Sequence, residues 1–146
     1  MRVWSDDFPH EGKIPKVFTC DDRDVSPHLA WDGIPEGTQS LALIVDDPDA
    51  PVGPWVHWLV CDIPPHVSEI PQGTVPVGAR QVTNDFGKEE YGGPCPPGGT
   101  HRYFHKLYAL SVPRMQASDK RAFYAEVGTH ELAQAVLMGT YKRSRW

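Results

Sequence analysis

The sequence has no long apolar run. Stretches such as Leu41 to Val45 fall far short of the ~20 residues that a spanning helix needs, so no membrane span is expected. The start of the chain, Met1 to Asp7 (MRVWSDD), turns acidic at once and has no apolar h-region, unlike a secretory signal. Cysteine is scarce. Cys20, Cys61 and Cys95 are too few, and odd in number, for a disulfide scaffold. Three reduced thiols and a cytoplasmic location are therefore expected. Positive charge is also short, with 14 Lys and Arg against 19 Asp and Glu and a formal net charge of −5. The one basic cluster is Lys142, Arg143 and Arg145 near the end, read as a solvated tail. A nucleic-acid binder usually carries a broader basic footprint, so no nucleic-acid partner is expected.

Several chemical signatures are missing too. There is no C-x-x-C pair to announce zinc. His101 and His105 are four residues apart, which on a strand spans roughly 13 Å, too far to share one ion. No metal site is expected. The segment Gly92 to Gly99 is glycine-rich, but its three prolines remove N–H donors and no lysine follows, so it is not a P-loop. The amides of Gly92 and Gly93 remain as a pair able to hold one phosphate. There is no G-x-S-x-G, and Cys95 sits between Pro94 and Pro96. Its plainest role is a small packed side chain.

What the chain does have is punctuation. Fifteen prolines and 13 glycines are scattered through 146 residues, which favours many short elements joined by turns in one domain spanning residues 1–146. Ser40 to Val45 reads as a buried strand closed by the turn-rich DDPDAP. Trp55 to Ile63 follows as a central strand. One face would carry Trp55, His57, Leu59 and Cys61, the other Val56, Trp58, Val60 and Asp62. Arg102 to Val112 is a third strand and Ala79 to Asn84 a weaker one, with short edge strands at Val17 to Cys20 and Leu29 to Trp31. Helix signals come late. Ser118 can cap a segment through Val127, and Thr129 a second one, with Leu132, Ala133, Val136 and Leu137 as a stripe and Gly139 as its stop. Strands followed by helices indicate a mostly β fold of sheets packed face to face, with short helices near the C-terminus.

Polar residues gather at strand ends and loops: Asp47 in DPDAP, His57 in WVHW, and His101 after the Gly/Pro loop. Aspartate, histidine and glycine-rich backbone are the groups that hold a phosphate-sized anion or run acid–base chemistry. Asp47 and Asp49 also suit simple turns, and His57 suits an apolar interior, so each alone says little.

Together the residues resemble the phosphatidylethanolamine-binding protein family, the Raf kinase inhibitor-like proteins, in its prokaryotic branch. The resemblance is carried by Thr19-Cys20-Asp21 with Asp24-Val25-Ser26-Pro27, by Ala30-Trp31-Asp32-Gly33, and most strongly by LALIVDDPDAP followed by Val56-His57-Trp58. Asn84-Asp85-Phe86-Gly87, YGGPCPP, His101-Arg102-Tyr103 and the closing AVLMGTYKR extend it over nearly the whole chain. The resemblance implies a large antiparallel sheet packed on a smaller one. It also implies a small pocket for phosphate, acetate or a phospholipid head group, built from Asp47, Pro51, His57, Gly93, Pro94, His101 and Tyr103. No cofactor and no general catalytic activity are implied; members are described as modulators of signalling enzymes. The alternative is a protein–protein regulator, a peptidase or kinase inhibitor in which the pocket is ancillary. A third reading is a hydrolase using His57, His101 and Cys95 or Asp47. Eukaryotic relatives continue past the stretch matched by Gly139-Thr140-Tyr141 with a helix bordering the pocket, whereas this chain stops at Trp146. A more open pocket and a homodimer are therefore expected.

Overall fold

The computed structural model describes residues 1–143, and Arg145 of the basic cluster lies outside them. In chain order the elements are β1 (Arg2–Trp4), β2 (Gly12–Lys13), a 3-10 turn (Lys16–Phe18), β3 (Leu29–Asp32), β4 (Ser40–Asp47) and β5 (Trp55–Ile63). They continue with β6 (Glu69–Ile70), β7 (Arg80–Val82), β8 (His101–Leu110), α1 (Lys120–His130) and β9 (Glu131–Tyr141). A six-stranded sheet runs β2-β9-β8-β4-β5-β7, and a three-stranded sheet runs β1-β3-β6. All pairings are antiparallel except the short parallel contact of β2 with β9 at the large sheet's edge. The mostly β, two-sheet architecture read from the sequence is the one observed.

Period-two alternation explains the layers. Leu41, Leu43 and Val45 of β4 join Leu107 of β8 and Trp31, Leu29 and Ile70 of the small sheet in one apolar cluster. Ala42 and Ile44 turn the other way, meeting Leu110 and the α1 residues Phe123 and Val127. With apolar packing on both faces, β4 is buried along its full length.

Three local expectations are corrected. Val17 to Cys20 is not an edge strand; Lys16–Phe18 closes as a 3-10 turn. The first helix begins one residue later than expected, because the Asp119 carboxylate, not Ser118, accepts from the Ala122 amide (2.8 Å). The second helix does not exist. Glu131–Tyr141 pairs with β8 along its whole length as β9. Its Ala133, Ala135 and Leu137 turn into the inter-sheet core, while Leu132 and Val136 are 48% and 41% exposed. The helix-like spacing of its apolar residues is overridden by the long β8 edge, which offers a ladder of hydrogen-bond partners.

The cysteine expectation is corrected as well. Cys20 and Cys95, 75 residues apart, are joined in a disulfide, and Cys61 is the free cysteine among the described residues. Buried beside Asp62, the Cys61 thiol is pushed up to about 12, so it is inert. No described helix is long and apolar enough to cross a membrane.

Candidate ligand-binding site

The site begins with a fault in a strand. Val45 pairs with Trp58 and Asp46 with Val56, so His57 is an extra residue on β5 with no partner on β4. This β-bulge breaks the alternation: Val56 and Leu59 pack toward α1, but Trp58 and Val60 toward the small sheet. The two faces expected for Trp55 to Ile63 are thereby corrected. The bulge turns the His57 ring edge-on to Tyr103, with centroids 5.2 Å apart. A second register shift lies further along β5, near Asp62, whose φ of 59° is left-handed.

The other side chains need no irregularity. Asp47 follows Val45 by two on β4, and His101 and Tyr103 alternate on β8, so all face the small-sheet side. A cavity of about 220 Å³ gathers Asp47, Pro51, His57, His101 and Tyr103. Its remaining wall is apolar, with Trp55, Phe86, Pro96 and Pro97 among the lining and the highly exposed Val52 at the mouth.

Each polar group has a defined partner. The Asp47 carboxylate accepts the Asp49 amide on one oxygen (2.7 Å) and the His101 Nδ1–H on the other (2.6 Å). His57 Nδ1 donates to the Gly92 carbonyl (2.6 Å). Since both partners are acceptors, both rings carry their proton on Nδ1, which leaves Nε2 as the second functional nitrogen. Burial holds the His57 pKa below the usual imidazole range, opposed by the Gly92 carbonyl and the Asp47 charge, so His57 is neutral at pH 7. Arg102, the nearest cation in sequence, is turned away and bound by the Asp49 carboxylate through its Nε and Nη2 (2.9 Å each). Those bonds hold Asp49 below the ordinary carboxylate range. One polar atom stands out: Tyr103 is 1% exposed, and its hydroxyl has no hydrogen-bond partner among the described residues. Burial raises its pKa, so it stays a protonated donor.

Five of the seven expected residues thus converge. Gly93 and Pro94 do not line this cavity. The Gly92 amide donates to the His57 carbonyl (3.0 Å) and the Gly93 amide to Asp24 (2.8 Å), so the expected pair of free amides is already spent on the fold. Gly93 is required for closeness: a Cβ there would come within 2.2 Å of the Phe18 carbonyl oxygen. Pro94 accepts the Cys20 amide (3.1 Å). Gly93, with Gly92 and Tyr91, lines a larger groove of about 700 Å³. Cys95 borders both spaces. Phe86 and Trp55 were not singled out from sequence. Their edge-to-face contact, and that of Phe86 with His57, arise from a loop that only the fold brings back.

Comparison with known proteins settles the relationship. A family model described as phosphatidylethanolamine-binding protein matches residues 4–142. The chain belongs to this family. Among its relatives, the UPF0098 protein of Aquifex aeolicus (strain VF5) is 45% identical over 98% of this chain and 89% of that protein. The UPF0098 protein YbhB of Escherichia coli (strain K12) is 39% identical over 97% of this chain and 99% of that protein. Among solved structures, E. coli YbcL, called a new member of the mammalian PEBP family, superposes with a TM-score of 0.92 at 31% identity, covering 98% of both chains. A putative phosphatidylethanolamine-binding protein homologue from Chlamydia trachomatis, CT736, gives 0.91 at 35% identity, over 98% of this chain and 97% of that one. As a family member the chain shares the two-sheet fold, and its cavity draws on residues from Asp47 to His57, Phe86, Cys95 to Pro97, and His101 with Tyr103.

Proposed function

We propose that this family member is a non-catalytic binder of small anions, namely phosphate, acetate or a phosphorylated head group, and that occupancy lets it modulate a signalling enzyme. The observation that carries the reading is the Tyr103 hydroxyl, buried and without a hydrogen-bond partner among the described residues, on a residue that lines the same cavity as His57 and His101. Buried hydroxyls are nearly always satisfied, so one left open beside two imidazoles is a donor awaiting an acceptor. Among the described residues no Lys or Arg lines the cavity, and Arg102 is bound by Asp49, so no described permanent cation faces the ligand. The ligand therefore brings a proton or His57 takes one up, and because burial holds His57 below the usual imidazole range, affinity falls as pH rises through that lowered range and above it.

Asp47 acts on His101 and not on the ligand in this reading. Both its oxygens are engaged, and the carboxylate fixes the His101 ring through Nδ1–H, leaving Nε2 turned to the cavity. The non-catalytic part is supported by two cavity side chains that are not poised as nucleophiles in the disulfide-bonded chain. Cys95 is disulfide-bonded, and the Tyr103 phenol is held protonated. Cytoplasmic location and self-association are part of the same proposal; the latter is supported by Leu132 and Val136 exposed on β9. The test is a titration with inorganic phosphate, followed by the imidazole resonances of His57, His101 and His105. Saturable shifts at His57 and His101, with His105 unmoved, support the reading; no shift at either would overturn it.

A further inference from the structure

We propose that the Cys20–Cys95 pair is a thiol–disulfide exchange site, and that its state sets the rigidity of one wall of the His57–His101 cavity. The inference uses the anion-pocket reading for its consequence but not for its chemistry.

The two sulfurs sit on unequal supports. On the Cys20 side, the neighbouring Asp21 carboxylate accepts from the Tyr141 hydroxyl and from Arg143. Thr19 is fully buried, its hydroxyl donating to the Lys16 carbonyl (2.8 Å). Those bonds hold the Asp21 and Thr19 side chains independently of the disulfide, while the Cys20 amide itself leans on the Pro94 carbonyl of the other side (3.1 Å). On the other side, the Gly93 amide donates to the Asp24 carboxylate and the Pro94 carbonyl accepts the Cys20 amide. Beyond them, residues 95–100 (CPPGGT) make no recorded hydrogen bond among the described residues until His101 enters β8. Prolines at 96 and 97 remove two donors from that span outright. Among the described residues the disulfide is its one covalent or hydrogen-bonded tie between Pro94 and His101, with the buried Pro96 as its packing anchor, and Cys95, Pro96 and Pro97 line the cavity together with Pro51 and Val52.

The bond is also reachable. Both cysteines are only half-buried, and both border the groove of about 700 Å³, wide enough for an attacking thiolate. Cys61, buried and with its thiol pushed up to about 12, cannot compete in the exchange. A dithiol reductant completes the chemistry. One of its thiolates attacks a sulfur of the pair, giving a mixed disulfide and releasing the other cysteine as a thiolate. Its second thiol then displaces the remaining cysteine. Two electrons and two protons pass to the pair, and the dithiol leaves as a disulfide. The released 95–100 wall gains conformational freedom, and a ligand must order it again on binding.

The experiment compares the full chain oxidised, the full chain reduced with dithiothreitol, and the double variant Cys20→Ser with Cys95→Ser. Alkylation before mass measurement counts thiols, amide hydrogen exchange reports local opening, and calorimetry with inorganic phosphate reports the cavity. Reversible passage between one and three labelled thiols is expected. Amides of residues 20 and 93 should exchange about tenfold faster in the reduced and variant forms, while Leu43 and Leu107 stay unchanged. Phosphate affinity should fall several-fold in the same two forms. Unchanged exchange at residues 20 and 93 would overturn the proposal, as would acceleration of the Leu43 and Leu107 amides too, since the bond would then be a global staple. Three labelled thiols under oxidised glutathione would also overturn it. Local opening on reduction without phosphate binding in any form would uphold the exchange site and remove the anion-pocket reading.

Discussion

Replacing Tyr103 with phenylalanine removes one oxygen and leaves the ring. The ring fills a buried place beside His57, with centroids 5.2 Å apart, and the hydroxyl has no hydrogen-bond partner among the described residues. An unsatisfied buried polar group costs on the order of 1–3 kcal/mol, and less where cavity water reaches it. Tyr103→Phe should therefore stabilise the ligand-free protein by about 1 kcal/mol. For a chain of 146 residues this corresponds to a rise in Tm of roughly 3 °C. The bound state moves the other way. A hydrogen bond from the phenol to a charged phosphate oxygen contributes about 1.5–3 kcal/mol, so phosphate affinity should fall about tenfold or more. Opposite signs in one variant distinguish a binding residue from a core residue. Thermal unfolding without ligand and calorimetry with phosphate, both at pH 6, measure the two. A Tm lowered by several degrees would mean that the hydroxyl already has a stabilising partner. Unchanged phosphate affinity would mean that it does not face the ligand. Either result refutes the reasoning.

Other outcomes follow from the same geometry. Burial pushes His105 down to about 4, against 6.5 when unfolded, so the unfolded chain takes up the proton first. Stability is then lost as pH falls from 6.5 toward 4, by roughly 3 kcal/mol at pH 4, with His57 adding in the same direction. Urea midpoints at pH 7 and 4.5 should show this loss, and His105→Leu should reduce it; a midpoint independent of pH over that range contradicts the assignment. Asp47→Asn should weaken phosphate, sulfate and phosphoethanolamine alike, because Asp47 holds His101. A calorimetric loss confined to phosphoethanolamine would instead put the ligand's ammonium on Asp47. Light scattering at high micromolar concentration should detect a dimer that Val136→Lys disrupts, and a strictly monomeric protein would remove that part of the proposal.

The residues that read clearly from the sequence are those whose neighbours repeat at period two. Leu41 to Val45 and Arg102 to Val112 read as strands in the right places, whereas Asp47 and His101 read as loop residues; β4 and β8 run far enough to include them, and period two then sets Asp47, His101 and Tyr103 on one side of the sheet. His57 was legible as a candidate but not its direction, because a bulge adds one residue to β5 and leaves no mark in hydropathy. Leu132, Ala133, Val136 and Leu137 fit a helical stripe and a strand equally well, and pairing with β8 decided between them. The link between Cys20 and Cys95 spans 75 residues, so only the tertiary fold brings the sulfurs together. The Gly92 and Gly93 amides looked available because their partners, the His57 carbonyl and the Asp24 side chain, come from distant segments.

The central claim, an anion held between His57 and His101, is tested most directly by calorimetry of inorganic phosphate at pH 6 with the wild type, His57→Ala and His101→Ala. One site per chain is predicted, weakened by at least about 1 kcal/mol, or roughly fivefold, in each variant, as expected for loss of a charge-assisted hydrogen bond. Saturable binding that neither substitution weakens, or no saturable binding by the wild type, would contradict it.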